Sequence, residues 1–257
     1  MDIAANDDTP GAWVEMLTLL RELQADSRPL FARLRANVRR GNGSDATVTK
    51  DDLRVDIEAD TWLREWISQH FESGIVQSEE QKQSGALEFG FTGGGYHFVL
   101  DPLGGLVNFA RGLSPSVFSL AILPRLGALS IEQVDFAFIG DTSGTGAFVA
   151  ARGRGAFVDR SRLQTSGATR ARGAIISREF PKAGGIPQLA KLHRICSGVR
   201  AFGCMSRALS MVAMGALDAH IDATDSLTPE GLLAASLLVT EAGGYLCTLE
   251  GLSLIHI

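Results

Sequence analysis

Along the N-terminal part of the chain the apolar positions fall at helical spacing. Between Ala12 and Arg40, Trp13, Leu17, Leu20, Leu23, Leu30, Leu34 and Val38 recur every three, four or seven residues, which lines one face of a helix. Pro29 lies inside that pattern and predicts a break or kink into two pieces, since it lacks an N–H and crowds the preceding turn. Gly41-Asn42-Gly43-Ser44 reads as a turn. A second amphipathic helix is expected from Asp56 to Phe71, with Ile57, Trp62, Trp66 and Ile67 turned inward.

The middle of the chain changes period. Ile75-Val76 is a short strand ending at Ser78-Glu79-Glu80, and a polar, Gly-rich loop from Gln81 to Gly95 precedes the strand His97–Leu100, which runs into Asp101-Pro102. Alternating segments follow at Ser116–Leu123, Ile131–Ile139 and Ala147–Ala151. The last third reads as a strand at Ile175–Ser177, helices near Leu189–Cys196 and Ser206–Met214, a strand at Leu217–Asp222 and a helix over Pro229–Ala242 stopped by Gly243-Gly244. The class is mixed α and β. The final residues, Leu252 to Ile257, form an apolar stretch with no helix cap.

A chain of 257 residues fits one large domain or two subdomains sharing a core. Its net charge of −5 gives no electrostatic reason to expect a nucleic-acid or membrane partner. The acidic start, MDIAANDDTPGAW, lacks the pattern of a signal peptide. Cys196, Cys204 and Cys247 have no C-x-x-C spacing and read as reduced thiols, so the cytoplasm is the expected compartment. Gly93-Gly94-Gly95, Gly144-Thr145-Gly146 and Gly153-Arg154-Gly155 are read as turns, because none has the order of a dinucleotide or P-loop site.

Candidate chemistry lies where acids end strands. Glu79 and Glu80 follow one short strand and Asp101 another. Magnesium takes oxygen ligands from carboxylates, carbonyls and water, so acids from separate strand ends can converge on one ion. A single acid at a strand end is more often a turn former. The ordered set is more specific: Ser78-Glu79-Glu80, then Asp101-Pro102-Leu103-Gly104-Gly105-Leu106-Val107-Asn108-Phe109, then Thr240-Glu241-Ala242-Gly243-Gly244. It resembles the inositol monophosphatase family, with its S/G-E-E, D-P-L/I-D-G-T-x-N-F and D-x-A-A…E-A-G-G signatures. Gly112–Pro115, Ala151–Phe157 and Ala216–Ala219 add to the likeness, and Arg54-Val55-Asp56 is similar to the branch that includes archaeal enzymes acting on inositol phosphate and fructose bisphosphate.

The resemblance implies a layered α/β/α/β/α sandwich, usually a homodimer, that hydrolyses small phosphate monoesters with Mg2+. An N-terminal metal and phosphate subdomain is expected over about residues 1–160. A C-terminal subdomain is expected over about 161–257, lacking its last strand and helix and so exposing apolar surface. Carried over by position, Glu79, Asp101 and the carbonyl of Leu103 match ligands of a first ion. Glu80 and Asp60 match nearby acids, with Asp60 polarising the nucleophilic water. The amides of Gly105, Leu106, Val107 and Asn108 match the phosphate cradle, and Asp222 matches an acid near the substrate hydroxyls. Three positions depart. Gly104 and Gly231 stand where the family has Asp ligands of a second ion, and Leu106 stands where a Thr holds the water. Glu230 is adjacent to Gly231, but neighbouring helical residues point about 100° apart, which argues against its substituting. One weak Mg2+ site, a lost second site and strongly reduced turnover are therefore expected. The alternative is a non-catalytic module that binds a phosphorylated metabolite.

Overall fold

Helix α1 spans Ala12–Val38 without interruption, with Pro29 inside it, in a computed structural model that describes residues 11–38, 50–81, 86–91, 94–125, 127–179, 192–224, 226–248 and 251. The expected break at Pro29 does not occur. Met16, Leu17, Leu20 and Leu23 before the proline, and Leu30, Phe31 and Leu34 after it, are all buried in the same core. Each such side chain contributes about 1.5–3 kcal/mol, which outweighs the ~3 kcal/mol cost of an internal proline.

Helix α2 runs from Lys50 to His70, six residues longer at its start than expected. Its inward face also differs. Val55, Ala59, Leu63, Trp66 and Ile67 are buried, whereas Ile57 is 54 % exposed and Trp62 is half-buried. Asp56 and Asp60, one turn apart, share the buried side. Two aspartates thus occupy positions that an apolar periodicity assigns elsewhere.

Strands β1 (Gly74–Ser78), β2 (Leu87–Phe89), β3 (Tyr96–Gly104), β4 (Val117–Pro124), β5 (Phe136–Asp141), β6 (Ala147–Ala151), β7 (Gly155–Val158) and β8 (Ser161–Arg162) form one sheet in the order β2-β1-β3-β4-β5-β6-β7-β8. Only the β1–β3 pair is parallel. β2 arises inside the segment expected to be loop, where Leu87–Phe89 pairs with Gly74–Val76. Residues Ile131–Gln133 form a 3-10 turn rather than strand, so β5 starts later than the alternation suggested.

Alternate sheet residues feed two cores. Phe98, Leu100, Phe118, Leu120, Phe136 and Phe138 meet α1 and α2. Val99, Val117, Ala121, Ala137 and Ile139 pack with the opposite layer, made of α4 (Met205–Ala213) and α5 (Pro229–Glu241). A short α3 (Leu106–Arg111) follows β3. Beyond α4 lies a parallel sheet of β9 (Ile175–Glu179), β10 (Gly198–Arg200) and β11 (Ala219–Asp222), ordered β10-β9-β11. The result is a layered mixed α and β fold. The expected turn at Gly41–Ser44, the start of the helix near 189–196 and the segment 252–257 lie outside the described residues.

α5 is buried nearly all round, as a central helix must be. At its C-terminal end the Glu241 carboxylate accepts hydrogen bonds from the amides of Gly153 (2.7 Å) and Gly155 (2.8 Å), tying the β6–β7 turn to the helix. All three cysteines are free, with Cys204 buried. Among the described residues no helix is long and apolar enough to cross a membrane.

Candidate active site at an acidic strand end

The parallel pair β1–β3 creates the site. Its register sets Ser78 opposite Leu100, so Glu79, the first residue past β1, adjoins Asp101 of β3. Glu79 and Glu80 enter a 3-10 turn. Asp101 stays in β3, but pairing with β4 shifts between Asp101 and Gly104, a bulge that re-aims side chains locally. The Asp101 carboxylate accepts from the Leu103 amide at 3.2 Å and is buried. Burial, then the charge of Glu79, pushes its pKa up to about 8, against the Leu103 hydrogen bond; Glu230 and Glu80 add to the rise.

From the opposite layer α2 delivers two more acids. Asp56 is 8 % exposed, hydrogen-bonds Glu80 and keeps Oδ1 buried without a partner. Burial, followed by the charges of Glu80 and Asp101, raises it to about 9. Asp60 is buried, its Oδ2 3.0 Å from Nε of Arg64, its Oδ1 without a hydrogen bond.

The start of α5 closes the cluster. Thr228 caps the helix through its hydroxyl (3.4 Å from the Gly231 amide), and Pro229 occupies the first turn. Glu230 is buried, and its Oε1 accepts from Nε2 of Gln77 at 2.8 Å. A Cβ at Gly231 would point instead at the Met205 methyl, 3.2 Å away. A Cβ at Gly104 would lie 2.8 Å from Oδ2 of Asp101, so the space of that missing side chain is taken by the neighbouring carboxylate.

Gly105 turns the chain from β3 into α3 with φ +83°, and a Cβ there would be 2.7 Å from the Pro115 carbonyl, so only glycine fits. Leu106 is half-buried against the first core and Val107 is 49 % exposed. Asn108 donates from its side-chain amide to the carbonyls of Pro115 (2.7 Å) and Phe202 (2.6 Å), fixing α3 to the segment before α4. Cys204 sits there too, its thiol donating to the Gly104 carbonyl at 3.4 Å and pushed up to about 12 by burial.

Asp222 belongs to a different wall. It ends β11 opposite Glu179, and its Oδ1 accepts from the amide (2.8 Å) and hydroxyl (2.6 Å) of Thr224. Glu179 in turn accepts from the Gly203 amide at 2.9 Å, next to the Phe202 carbonyl that holds Asn108. Glu79, Glu80 and Asp101 are thus brought together, Asp60 lies on the adjoining helix, and Asp222 flanks the α3 side. Asp56 and Glu230 lie in the same acidic cluster; in the sequence Asp56 enters only within Arg54-Val55-Asp56, and helical spacing argues against a role for Glu230. The signal available for Asp56 was an i,i+4 pair of aspartates within an otherwise apolar helix face.

The donor set is all hard oxygen, which suits magnesium, and the orphaned buried Oδ1 of Asp56 is a further indication that a positive charge belongs here. Among the described residues no three His, Cys, Asp or Glu side chains are already gathered closely enough to hold an ion. At 104 and 231 the chain has glycine, so neither position offers a side-chain oxygen to an ion.

The site thus gathers carboxyls at a parallel strand pair beside a short helix in a layered mixed α and β fold. The inositol monophosphatase family model matches residues 15–255, and the chain belongs to that family. A "Nus factor SuhB" of Pseudomonas aeruginosa is 29 % identical over 66 % of this chain, and the match spans 63 % of that relative's own length. A "Fructose-1,6-bisphosphatase/inositol-1-monophosphatase" of Thermococcus kodakarensis is 27 % identical over 93 % of this chain and 85 % of its own. Among solved structures, an extragenic suppressor protein suhB from Bartonella henselae superposes with TM-score 0.72 at 22 % identity, covering 89 % of this chain and 85 % of its own. An IMPase/NADP phosphatase complexed with Mg2+ and phosphate superposes with TM-score 0.65 at 19 % identity, covering 79 % and 73 %.

Proposed function

We propose that this protein hydrolyses a small phosphate monoester, an inositol, sugar or polyol phosphate, with one Mg2+ ion and at a rate orders of magnitude below that of a relative with the complete motif. The observation that carries this reading is the crowding of Asp56, Glu79, Glu80 and Asp101 at the β1–β3 strand end, with Asp56 Oδ1 buried and unpaired. Family membership supplies the reaction class.

The ligands of the ion are Glu79, Asp101 and the Leu103 carbonyl, and when bound it neutralises charge on the phosphate oxygens. The first amides of α3, from Gly105 to Asn108, face a phosphate, since helix-start N–H groups lack partners within the helix. Glu80 and Asp60 accept hydrogen bonds from the attacking water, and Asp222 accepts from a substrate hydroxyl. Leu106 offers that water no oxygen. Single positioning groups of this kind are worth on the order of 10²–10³ in rate.

Those absent oxygens at Gly104 and Leu106 favour a second reading, a module that holds the phosphorylated metabolite without turning it over. Phosphate release from inositol 1-phosphate and fructose 1,6-bisphosphate across a magnesium titration separates the two. Slow, magnesium-dependent release is expected; saturable binding with no release establishes the module instead. The triple variant Gly104→Asp, Leu106→Thr, Gly231→Asp is expected to raise turnover at least about 100-fold, provided Asp101 rotates to admit the new side chain at 104. A homodimer is proposed from family resemblance, and sedimentation velocity tests it. Neither nucleic acid nor a membrane is proposed as a partner, on the net charge of −5.

A further inference from the structure

We infer that Glu230 is an acidic ligand of the remaining cation site, reaching it from the first turn of the helix whose position 231 carries no carboxylate. This rests on the reading above that the strand-end acids take one divalent ion. Ser119 lies opposite Asp101 across β3–β4, and its hydroxyl donates to the Glu230 backbone carbonyl at 3.4 Å. The Glu230 backbone is therefore above β4, level with Asp101. Its carboxylate is held on the far side by Gln77 in β1, opposite Val99. The Glu230 backbone over β4 and the Gln77 backbone in β1 flank β3, with strands spaced about 4.8 Å apart, so their two side chains meet over β3. The meeting point lies on the sheet face that Val99 turns toward α5.

The hundred-degree objection is met by the start of the helix itself. The first turn of α5 is rolled so that position 231 looks at Met205 in α4, while position 230 looks down onto the sheet. Gln77 holds Oε1 of Glu230 in place as an outer hydrogen bond commonly orients a ligating carboxylate. The unpaired Asp56 Oδ1, contributed from the opposite side of the sheet, is the independent sign that this acidic space is built around a cation.

The test is Mn2+ binding to the ion-free protein, followed by the electron paramagnetic resonance signal of free Mn2+, with no substrate present. Wild type is expected to take up one ion. Glu230→Gln preserves shape and the Gln77 hydrogen bond but removes the charge, and should weaken binding about 10-fold or more; Glu230→Asp, one methylene shorter, should fall between. Melting curves of the ion-free variants verify folding. If wild type binds and both variants bind equally well, Glu230 is no ligand while the one-ion reading stands. If wild type itself takes up no Mn2+, the one-ion reading fails and this inference with it.

Discussion

Helix α5 carries a glutamate near each end, and the two are treated in opposite ways. Glu241 spends both oxygens on backbone amides, those of Gly153 and Gly155. Glu230 is more deeply buried, has Gln77 as its side-chain partner, and opposes the charge of Asp101. A buried carboxylate surrounded by donors is a structural tie, whereas one surrounded by other carboxylates costs stability unless something positive joins it. The same residue type on one rigid element thus marks a hinge-free joint at one end and a site at the other.

The largest expected effect breaks the comparison by pH. Asp56 and Asp101 are raised from the ordinary 3.8 to about 9 and about 8, burial being the first cause for both. The folded state therefore holds these protons more tightly than the unfolded chain. The stability they contribute is full below pH about 4 and is lost as pH rises toward 8 and 9. Ion-free protein should melt on the order of 10 °C lower at pH 9 than at pH 5, read by scanning calorimetry in chelator, and saturating magnesium should flatten the slope. A flat profile in chelator would show that the acids are solvated and the cluster is not under strain.

A smaller effect tests the satisfied end. Glu241→Ala removes two charge-assisted hydrogen bonds from a partly exposed joint and should cost about 2 kcal/mol, read from urea unfolding. No change in Mn2+ binding should accompany it, because the β6–β7 turn is at the opposite end of α5 from the acids.

This division was partly legible in the sequence. Ser78-Glu79-Glu80 could be placed at a strand end because the apolar run before it is short and bounded, whereas the strand expected to end before Asp101-Pro102 runs on to Gly104 through a shifted pairing. α5 could be read from its Pro start and Gly-Gly stop. The face of α2 was legible at Trp62, Trp66 and Ile67, which pack in or against the core, but not at its start, where Ile57 is exposed and Asp56 and Asp60 are buried toward the site. The break expected at Pro29 fails for a related reason, since local propensity says nothing of the leucines waiting on both sides of it. The direction of Glu230 depends on the roll of one helical turn against Gln77 and Ser119, a tertiary fact that spacing along the chain does not encode.

The smallest effect is also the one that sharpens the contrast most, because its sign is opposite to that at Glu241. Glu230→Gln keeps the volume and the acceptor for Gln77 Nε2, and removes a negative charge that bears on Asp101. In chelator at pH 8 this variant should be more stable than wild type by about 1 kcal/mol, the scale of a partly screened charge pair, read by urea unfolding beside Glu241→Ala. With magnesium added, the advantage should shrink or reverse, since the wild-type carboxylate then has a cation to face and the amide does not. A loss of stability in chelator, parallel to that at Glu241, would mean that Glu230 is held by donors as well, and that α5 has two structural ends rather than one.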